Sequence, residues 1–337
     1  MKTVSKARAG IVSALAIAAL VGSTLVPATA GQYEFRPAVK GSGKGITIGY
    51  IGLDDAIGFG KDVGDSMKRE AKKAGAKLIY CDSKLDAAKA LNCAKTFKLK
   101  KVDGILNFQP VASASAAICK AGPQVPIIAI DIEQDPCQNA FMGADNSYAG
   151  EVTGKALGEH FKKTFNCEFD SFISLEDYGV GVVNAARMGG YRTGFESVCG
   201  KIGDKLIQID AGRLEPALAK MKDALTTLPN AKKIAVVAIN DEGIQGAFAA
   251  ARAIGRDKDI YAGSQGAAAS AHCDIAKNPN WIGATAYFPE RYGEIGVPYL
   301  LDLIKGVKVP FQLKIKHVAV NGDNIFKLFP ASKAKCA

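Results

Sequence analysis

Histidine is scarce, with three among 337 residues, and no two cysteines stand two apart as Cys-x-x-Cys. His160, His272 and His317 share no metal-ligand or catalytic spacing, so zinc and dithiol redox sites lack their usual residues. Each histidine reads as a satisfied or exposed structural residue. Gly-x-Ser-x-Gly is missing, which removes the nucleophile elbow of an α/β-hydrolase, and nothing singles out a carboxylate pair for glycoside cleavage. After Val26 no apolar stretch is long enough to span a bilayer. Lysines are plentiful but form no basic stripe interleaved with aromatics, so the charge reads as a solvated surface and not as a nucleic-acid footprint. A weak attraction to an anionic membrane or wall surface is compatible with it. Low-complexity segments are absent, and 48% hydrophobic residues are ample for a large core and two domains.

At the amino terminus, Lys2, Lys6 and Arg8 precede an apolar run from Ile11 to Val26, then Pro27 and Ala28-Thr29-Ala30. A charged start, a short apolar stretch and small residues at the cut describe a secretory signal peptide over residues 1–30, cleaved near Ala30. A membrane anchor is the competing reading; Gly22, Ser23 and the cleavage site argue against it. Loss of the three basic residues lowers the formal charge from +10 to +7. Eight cysteines in an exported chain suggest disulfides, although eight allow 105 pairings. Pairing of sequence neighbours is the expectation: Cys81 with Cys93, Cys119 with Cys137, Cys167 with Cys199, and Cys273 with Cys336. The third has the best warrant, because Cys167 precedes a strand and Cys199 ends the following helix, placing both at the amino edge of one sheet.

The stretch from Ile46 to Asp82 sets the organisation. Ile46 to Leu53 are apolar and suit a strand buried on both faces. Phe59, Val63, Met67 and Ala71 recur every four residues on one side of a helix that Gly75 ends, and Leu78 to Tyr80 begin the next strand. Such a unit makes a right-handed parallel crossover, with the loop Asp54 to Gly58 at the carboxyl edge of the sheet. Gly31 to Gly45 read as a mobile, glycine-rich lead. The strand–helix alternation continues through Val102–Phe108 and Val125–Ile130, restarts at Phe169–Leu175, and runs through Ile234–Ile239, Ile260–Gly263 and Ile282–Phe288. Short strands over Gln312–Val318 and Ile325–Leu328 close the chain. The fold class is α/β, with two doubly wound parallel-sheet domains in tandem.

Polar residues gather just after the strands: Asp54, Gln109, Asp131, Glu176, Asp177, Asn240 and Gln265. Clustering at carboxyl edges in both halves implies one cleft between two facing sheets. Helix capping is the simpler explanation for Asp86 and Asp145, and less easily covers residues from so many strands.

From about Ile46 to Leu328 the chain resembles the ribose-type periplasmic binding proteins, the solute receptors of ABC importers. The stretches that carry the likeness are ITIGYIGLDDAIGFGKDVGDSMKREAKKAG, VDGILNFQP, VPIIAIDIE, MGADNSYAG, AVVAINDEGIQGAFAAARAIG and GATAYFPERYGEIG. The resemblance implies two lobes joined by a three-strand hinge, closing on a small ligand. It places an N-terminal lobe at residues 46–146 plus 288–316 and a C-terminal lobe at 147–287 plus 317–337. It implies a sugar or polyol ligand, a membrane permease as partner, and a periplasmic or secreted monomer without enzymatic activity, cofactor, metal or nucleic acid.

The resemblance also implies site residues. Phe59 stands where the family stacks an aromatic ring on the sugar, though it equally heads the apolar helix stripe. Asp131 and Asn240 match hydrogen-bonding positions, and Asp241 reads as a helix cap. Gln109 stands where an Asn-Pro is common, and Tyr287 replaces a polar ligand residue. Asn184 and Arg187 lie where a ligand arginine is frequent, while Asp54 and Asp55 acidify the first loop and favour a ligand carrying an amine. The departures are Ile132, where close relatives of the ribose receptor carry arginine after the aspartate, and Gln265, where they carry an aspartate; both argue against ribose itself. An exported sensor for chemotaxis or signalling is an alternative that sequence does not separate from transport. An NAD-dependent oxidoreductase is a weaker one, since Gly58-x-Gly60-x-x-x-Gly64 departs from the dinucleotide spacing, although Asp82 ends the next strand. The related repressors are set aside because a signal peptide occupies the place of their DNA-binding segment.

Overall fold

In the computed structural model, which describes residues 35–336, the opening unit is β1 (Thr47–Gly52), α1 (Gly58–Ala74) and β2 (Lys77–Asp82). The predicted secretory signal lies outside the described residues. Gly75 ends α1 in the left-handed region at φ 74°, donating to the carbonyls of Ala71 and Lys72, a conformation that glycine adopts without a Cβ clash. The first half continues with α2 (Ala87–Leu99), β3 (Gly104–Asn107), α3 (Ser115–Ala121), β4 (Ile127–Ile130) and β5 (Ala140–Gly143). The second half is α4 (Asn146–Phe165), β6 (Ser171–Glu176), α5 (Val182–Cys199), β7 (Leu206–Asp210), α6 (Leu214–Thr227), β8 (Ile234–Ala238), α7 (Asp241–Ala253), β9 (Ile260–Gly266), α8 (His272–Lys277) and β10 (Trp281–Ala286). The chain then returns through α9 (Gly293–Ile304) and β11 (Gln312–Lys314), and crosses again to β12 (Val318–Val320), α10 (Ile325–Leu328) and α11 (Pro330–Lys333).

The strands form two sheets of the same winding, in the orders β11-β5-β4-β3-β1-β2 and β12-β10-β9-β8-β6-β7. All the pairings are parallel except β10 with β12. β4 and β8 are apolar, and β1, β4, β6 and β8 are wholly or almost wholly buried, as strands covered by helices on both faces must be. Each sheet has a core on either face: Met67, Leu106 and Leu300 on one side of the first and Phe97 and Ile118 on the other. In the second sheet, Met221 and Trp281 face one core and Phe161 and Phe195 the other.

Three segments cross between the halves: residues 144–145 after β5, 287–292 after β10, and 315–317 after β11. The expected single strand Gln312–Val318 is therefore two, divided between the sheets, because residues 312–314 pair with β5 and residues 318–320 pair with β10. Ile325–Leu328, expected as a strand, is a helical turn; four residues, three of them apolar, carry no periodicity that separates the two. β5 was not anticipated at all. Its four residues become a strand by pairing with β4 on one side and β11 on the other.

The described part of the lead, residues 35–45, is packed and not the mobile tether expected. Arg36 reaches Asp302 at 2.7 Å, the Ala38 amide donates to the buried Glu70 carboxylate at 2.8 Å, and the Phe35 ring meets Phe288 edge-on. These partners lie far along the chain, so local composition gave no sign of them. The eight cysteines form four disulfides, Cys81–Cys93, Cys119–Cys137, Cys167–Cys199 and Cys273–Cys336. The last one pins the C-terminal segment to α8, where the His272 and Phe329 rings also stack with centroids 4.3 Å apart.

Candidate ligand-binding cleft

Strand ends from both sheets meet at the crossings. On the first lobe, Asp131 follows β4 in the left-handed region at φ 53°, which aspartate tolerates better than most residues. Its amide donates to the Met142 carbonyl of β5 and its carboxylate accepts from the Ala144 amide at 3.1 Å, so β5 and the first crossing hold it from two sides. The Tyr292 hydroxyl lies 3.5 Å from the same oxygen. Burial pushes the Asp131 carboxyl up to about 6; the Ala144 amide, the Arg187 charge and Tyr292 oppose the shift.

On the second lobe, Arg187 lies in the second turn of α5. Its Nε donates to Asn146 Oδ1 at 2.8 Å, its Nη1 donates to the Ile239 carbonyl at 3.0 Å, and the guanidinium sits 4.9 Å from the Tyr287 ring centroid. This placement depends on α4 and α5 coming almost into backbone contact. A Cβ on Gly150 would stand 2.4 Å from the Arg187 carbonyl oxygen, so only glycine permits the approach that brings Asn146 to Arg187. Tyr287 donates to Gln265 Oε1 and also reaches Asn146 Oδ1 at 3.3 Å. The wall of the cleft is thus one hydrogen-bonded chain, Arg187–Asn146–Tyr287–Gln265. Gln265 is fully buried; its Nε2 lies beside the Tyr191 hydroxyl without a well-formed hydrogen bond, leaving a donor of the wall unsatisfied.

Asp241 completes the set. Read from sequence as a helix cap, it is instead buried, accepting from the Ser264 hydroxyl at 2.5 Å and the Ala268 amide at 2.7 Å. Burial pushes its carboxyl up to about 6 as well, against these donors and the Arg187 charge. The capping role falls to Asn240, whose side chain accepts from the Gly243 amide at 3.1 Å while staying partly exposed. Phe59 is half-buried at the head of α1, edge-on to Tyr292 at 5.6 Å and to Phe108 at 6.3 Å. It also packs against Tyr287, Ala144 and Ala149, so it belongs both to the apolar stripe and to the rim where the lobes meet.

Four residues singled out from the sequence are committed to hydrogen bonds outside this cluster. Gln109 is fully buried and spends its amide on Val111 and Gln134, with Nε2 2.7 Å from Gln134 Oε1 and Oε1 2.8 Å from the Val111 amide. Asn184 is committed to the Asp177 amide and the Glu176 carboxylate, at 2.9 and 2.7 Å. Asp54 closes its own loop by accepting from the Ala56 amide at 2.8 Å, and Asp55 accepts from Tyr80. Asp54 serves its own turn, Asn184 bonds from α5 back to the end of β6, and Gln109 is held by Gln134, 25 residues away. Asn146, not singled out from the sequence, and Asp241, read there as a cap, join the cluster in the structure. Asn146 lay within the quoted crossover stretch, and its neighbour Asp145 drew the attention as a cap.

Charge is distributed in a particular way. Arg187 acts electrostatically on both Asp131 and Asp241, yet no salt bridge joins it to either. An acid from one lobe and a cation from the other therefore interact without neutralising each other by contact. The neighbouring groups include acceptors, donors and aromatic rings, which is the inventory for a small molecule bearing several hydroxyls.

Comparison with known proteins agrees with this architecture. The profile of the periplasmic binding protein domain matches residues 48–308. The ribose import binding protein of Bacillus subtilis is 27% identical over 286 residues, covering 81% of this chain and 87% of that protein. Among solved structures, an ABC transporter periplasmic solute-binding protein of Actinobacillus succinogenes with bound D-allose superposes with a TM-score of 0.70. It is 20% identical, and the match covers 84% of this chain and 99% of that one. A solute-binding protein of Bacillus halodurans with bound myo-inositol has a TM-score of 0.67 at 22% identity, over 86% and 99% of the two chains.

Proposed function

The chain belongs to the periplasmic binding protein family, and from that premise we propose that it captures a monosaccharide or polyol between its lobes and delivers it to an ABC importer. One observation carries the choice of ligand: Asp131 and Arg187 stand on opposite lobes, coupled through space but not bonded. A ligand hydroxyl is both donor and acceptor, so a polyhydroxylated molecule can satisfy the acid and the cation at once, and only when the lobes are together. Ligand contact with both lobes is what shifts the population towards closure. Phe59 and Tyr287 offer rings to the C–H faces of a pyranose or inositol.

Family membership implies the periplasm as the compartment and solute binding as the activity. We further read the chain as exported by a leader cut near Ala30, as making or breaking no bond, and as acting through a membrane permease. A monomer is sufficient for this role, because a single chain supplies both walls of the cleft.

The test is a thermal-shift screen of residues 31–337 against sugars, polyols, amino sugars, amino acids and nucleosides. A ligand that binds only the folded state stabilises it by about 2.7 kcal/mol at a hundredfold excess over its Kd, a shift well above error. A response to one sugar or polyol is the expected result. A response confined to an amine, amino acid or nucleoside would overturn the sugar reading and keep the receptor.

Gln265 yields a second expected result. Its Oε1 is occupied by Tyr287, so only its Nε2 can serve the ligand. Gln265→Glu replaces that donor with an acceptor and is expected to weaken the sugar found in the screen by about tenfold, the value of one hydrogen bond to a buried polar group. Calorimetric titration gives the answer, and equal affinity would remove Gln265 from the contact surface.

A further inference from the structure

Among groups that the cleft does not use, His317 stands out by position. It lies on the third crossing, is 6% exposed, and its ring reaches the other two crossings. Nε2 accepts from the Asp145 amide of the first crossing at 2.9 Å. Nδ1 is 3.2 Å from the Ala286 carbonyl, where β10 enters the second, and since a carbonyl only accepts, Nδ1 must carry the proton. The ring also packs at a tilt against Tyr287, with centroids 4.7 Å apart, and Tyr287 belongs to the hydrogen-bonded wall of the cleft. The imidazole therefore ties all three crossings together, and in only one of its neutral tautomers.

We propose that His317 is the positioning residue of the hinge, a neutral imidazole that sets the spacing of the three crossings and with it the register of the two half-sites. The inference goes beyond the ligand reading, because it concerns the hinge whatever the cleft holds. Three observations support the neutral form. Protonation at Nε2 would replace the acceptor of the Asp145 amide with a second donor. Burial, helped by the Arg187 and Lys314 charges, holds the imidazole down to about 4, against the Ala286 carbonyl and the Asp145 carboxylate. Tyr287, the ionisable group packed against the ring, is pushed up to about 12 by burial and so stays neutral too. Histidine suits the task because it is rigid and carries a donor and an acceptor on opposite edges.

The test uses ligand-free protein, so its outcome does not depend on the identity of the sugar. Nitrogen NMR of the wild-type chain at neutral pH should show His317 protonated at Nδ1 and bare at Nε2; the opposite tautomer or an imidazolium would overturn the proposal without any variant. Two substitutions then separate hydrogen bonding from packing. His317→Gln keeps a donor and an acceptor and loses the ring, whereas His317→Phe keeps the ring and loses both bonds. Hydrogen exchange at the Asp145 amide should quicken about tenfold in His317→Phe and stay near wild type in His317→Gln, as loss of one hydrogen bond predicts. Small-angle scattering should report a wider spread of lobe separations for the Phe variant alone. A Phe variant indistinguishable from wild type, or a Gln variant that behaves like Phe, would reduce His317 to a packing residue.

Discussion

Asp131→Asn is expected to weaken ligand binding about ten- to a hundredfold at neutral pH, the range for removing a charged partner from a hydrogen bond. Asparagine is the better probe than alanine because the residue is left-handed and its Oδ1 holds the Ala144 amide. Alanine would mix a loss of ligand contact with backbone strain. The effect on stability should have the opposite sign. A carboxyl whose folded pKa, about 6, lies above its unfolded value adds stability only at low pH, and that stability is lost as pH rises through about 6. At neutral pH the ionised Asp131 is thus a burden on the empty protein, and the Asn variant should melt at or above the wild-type temperature. A residue kept against stability is what a binding role explains.

The pH profile adds a second signature. With a ligand hydroxyl donating to the ionised carboxylate, as proposed, wild-type affinity should fall below about pH 6, by up to about tenfold per pH unit for one coupled proton. Asp241 titrates in the same range, so the variant will keep a pH dependence of its own. The diagnostic quantity is the ratio of the two affinities, which should shrink as pH falls through about 6. Calorimetric titration with the sugar or polyol found in the screen measures it. A constant ratio, or equal affinities at neutral pH, removes Asp131 from the site.

Gly154→Ala is expected to cost about 3 kcal/mol of stability or more, at the upper end for overpacking, because the obstacle is backbone. An added Cβ would stand 2.2 Å from the Tyr191 carbonyl oxygen, and the two helices cannot separate without losing the contact along their whole seam. The control lies on the facing helix. Gly189 has nothing within 4 Å of an added Cβ, so Gly189→Ala should stabilise by about 0.5–1 kcal/mol through helix propensity. Urea unfolding of both variants provides the comparison. The seam also places Arg187 beside Asn146, so Gly154→Ala should bind the ligand more weakly at temperatures where it is still folded. If the two alanine variants are equally stable, the close approach of α4 and α5 does not hold the second lobe.

The elements of the two halves were legible in the chain because their signals are local. Strands such as Ile234–Ala238 are unbroken apolar runs, and α1 repeats its buried residues every four positions up to a glycine that ends it. Alternation of strand and helix implied parallel sheets, and polar residues after strands implied a cleft at their carboxyl ends. The disulfide partners lie near one another in sequence, within 12 to 63 residues, so neighbour pairing was a natural first reading.

Only the tertiary structure decided which polar strand-end residues gather where the lobes meet. Gln109 and Asp131 follow adjacent strands and look equivalent in sequence, yet one is consumed by Gln134, 25 residues away, and the other opens on Arg187 of the opposite lobe. Asn240, and not Asp241, caps α7, because Ser264 and Ala268, which claim the aspartate, come from another strand end. The division of 312–320 between two sheets, and the histidine that joins three crossings, likewise depend on partners more than 25 residues distant. Hydrophobic periodicity and turn chemistry act over a few residues and so are written in the chain. The pairing of hydrogen-bonding groups is settled only when folding brings their competitors together, and it is this pairing that makes a site.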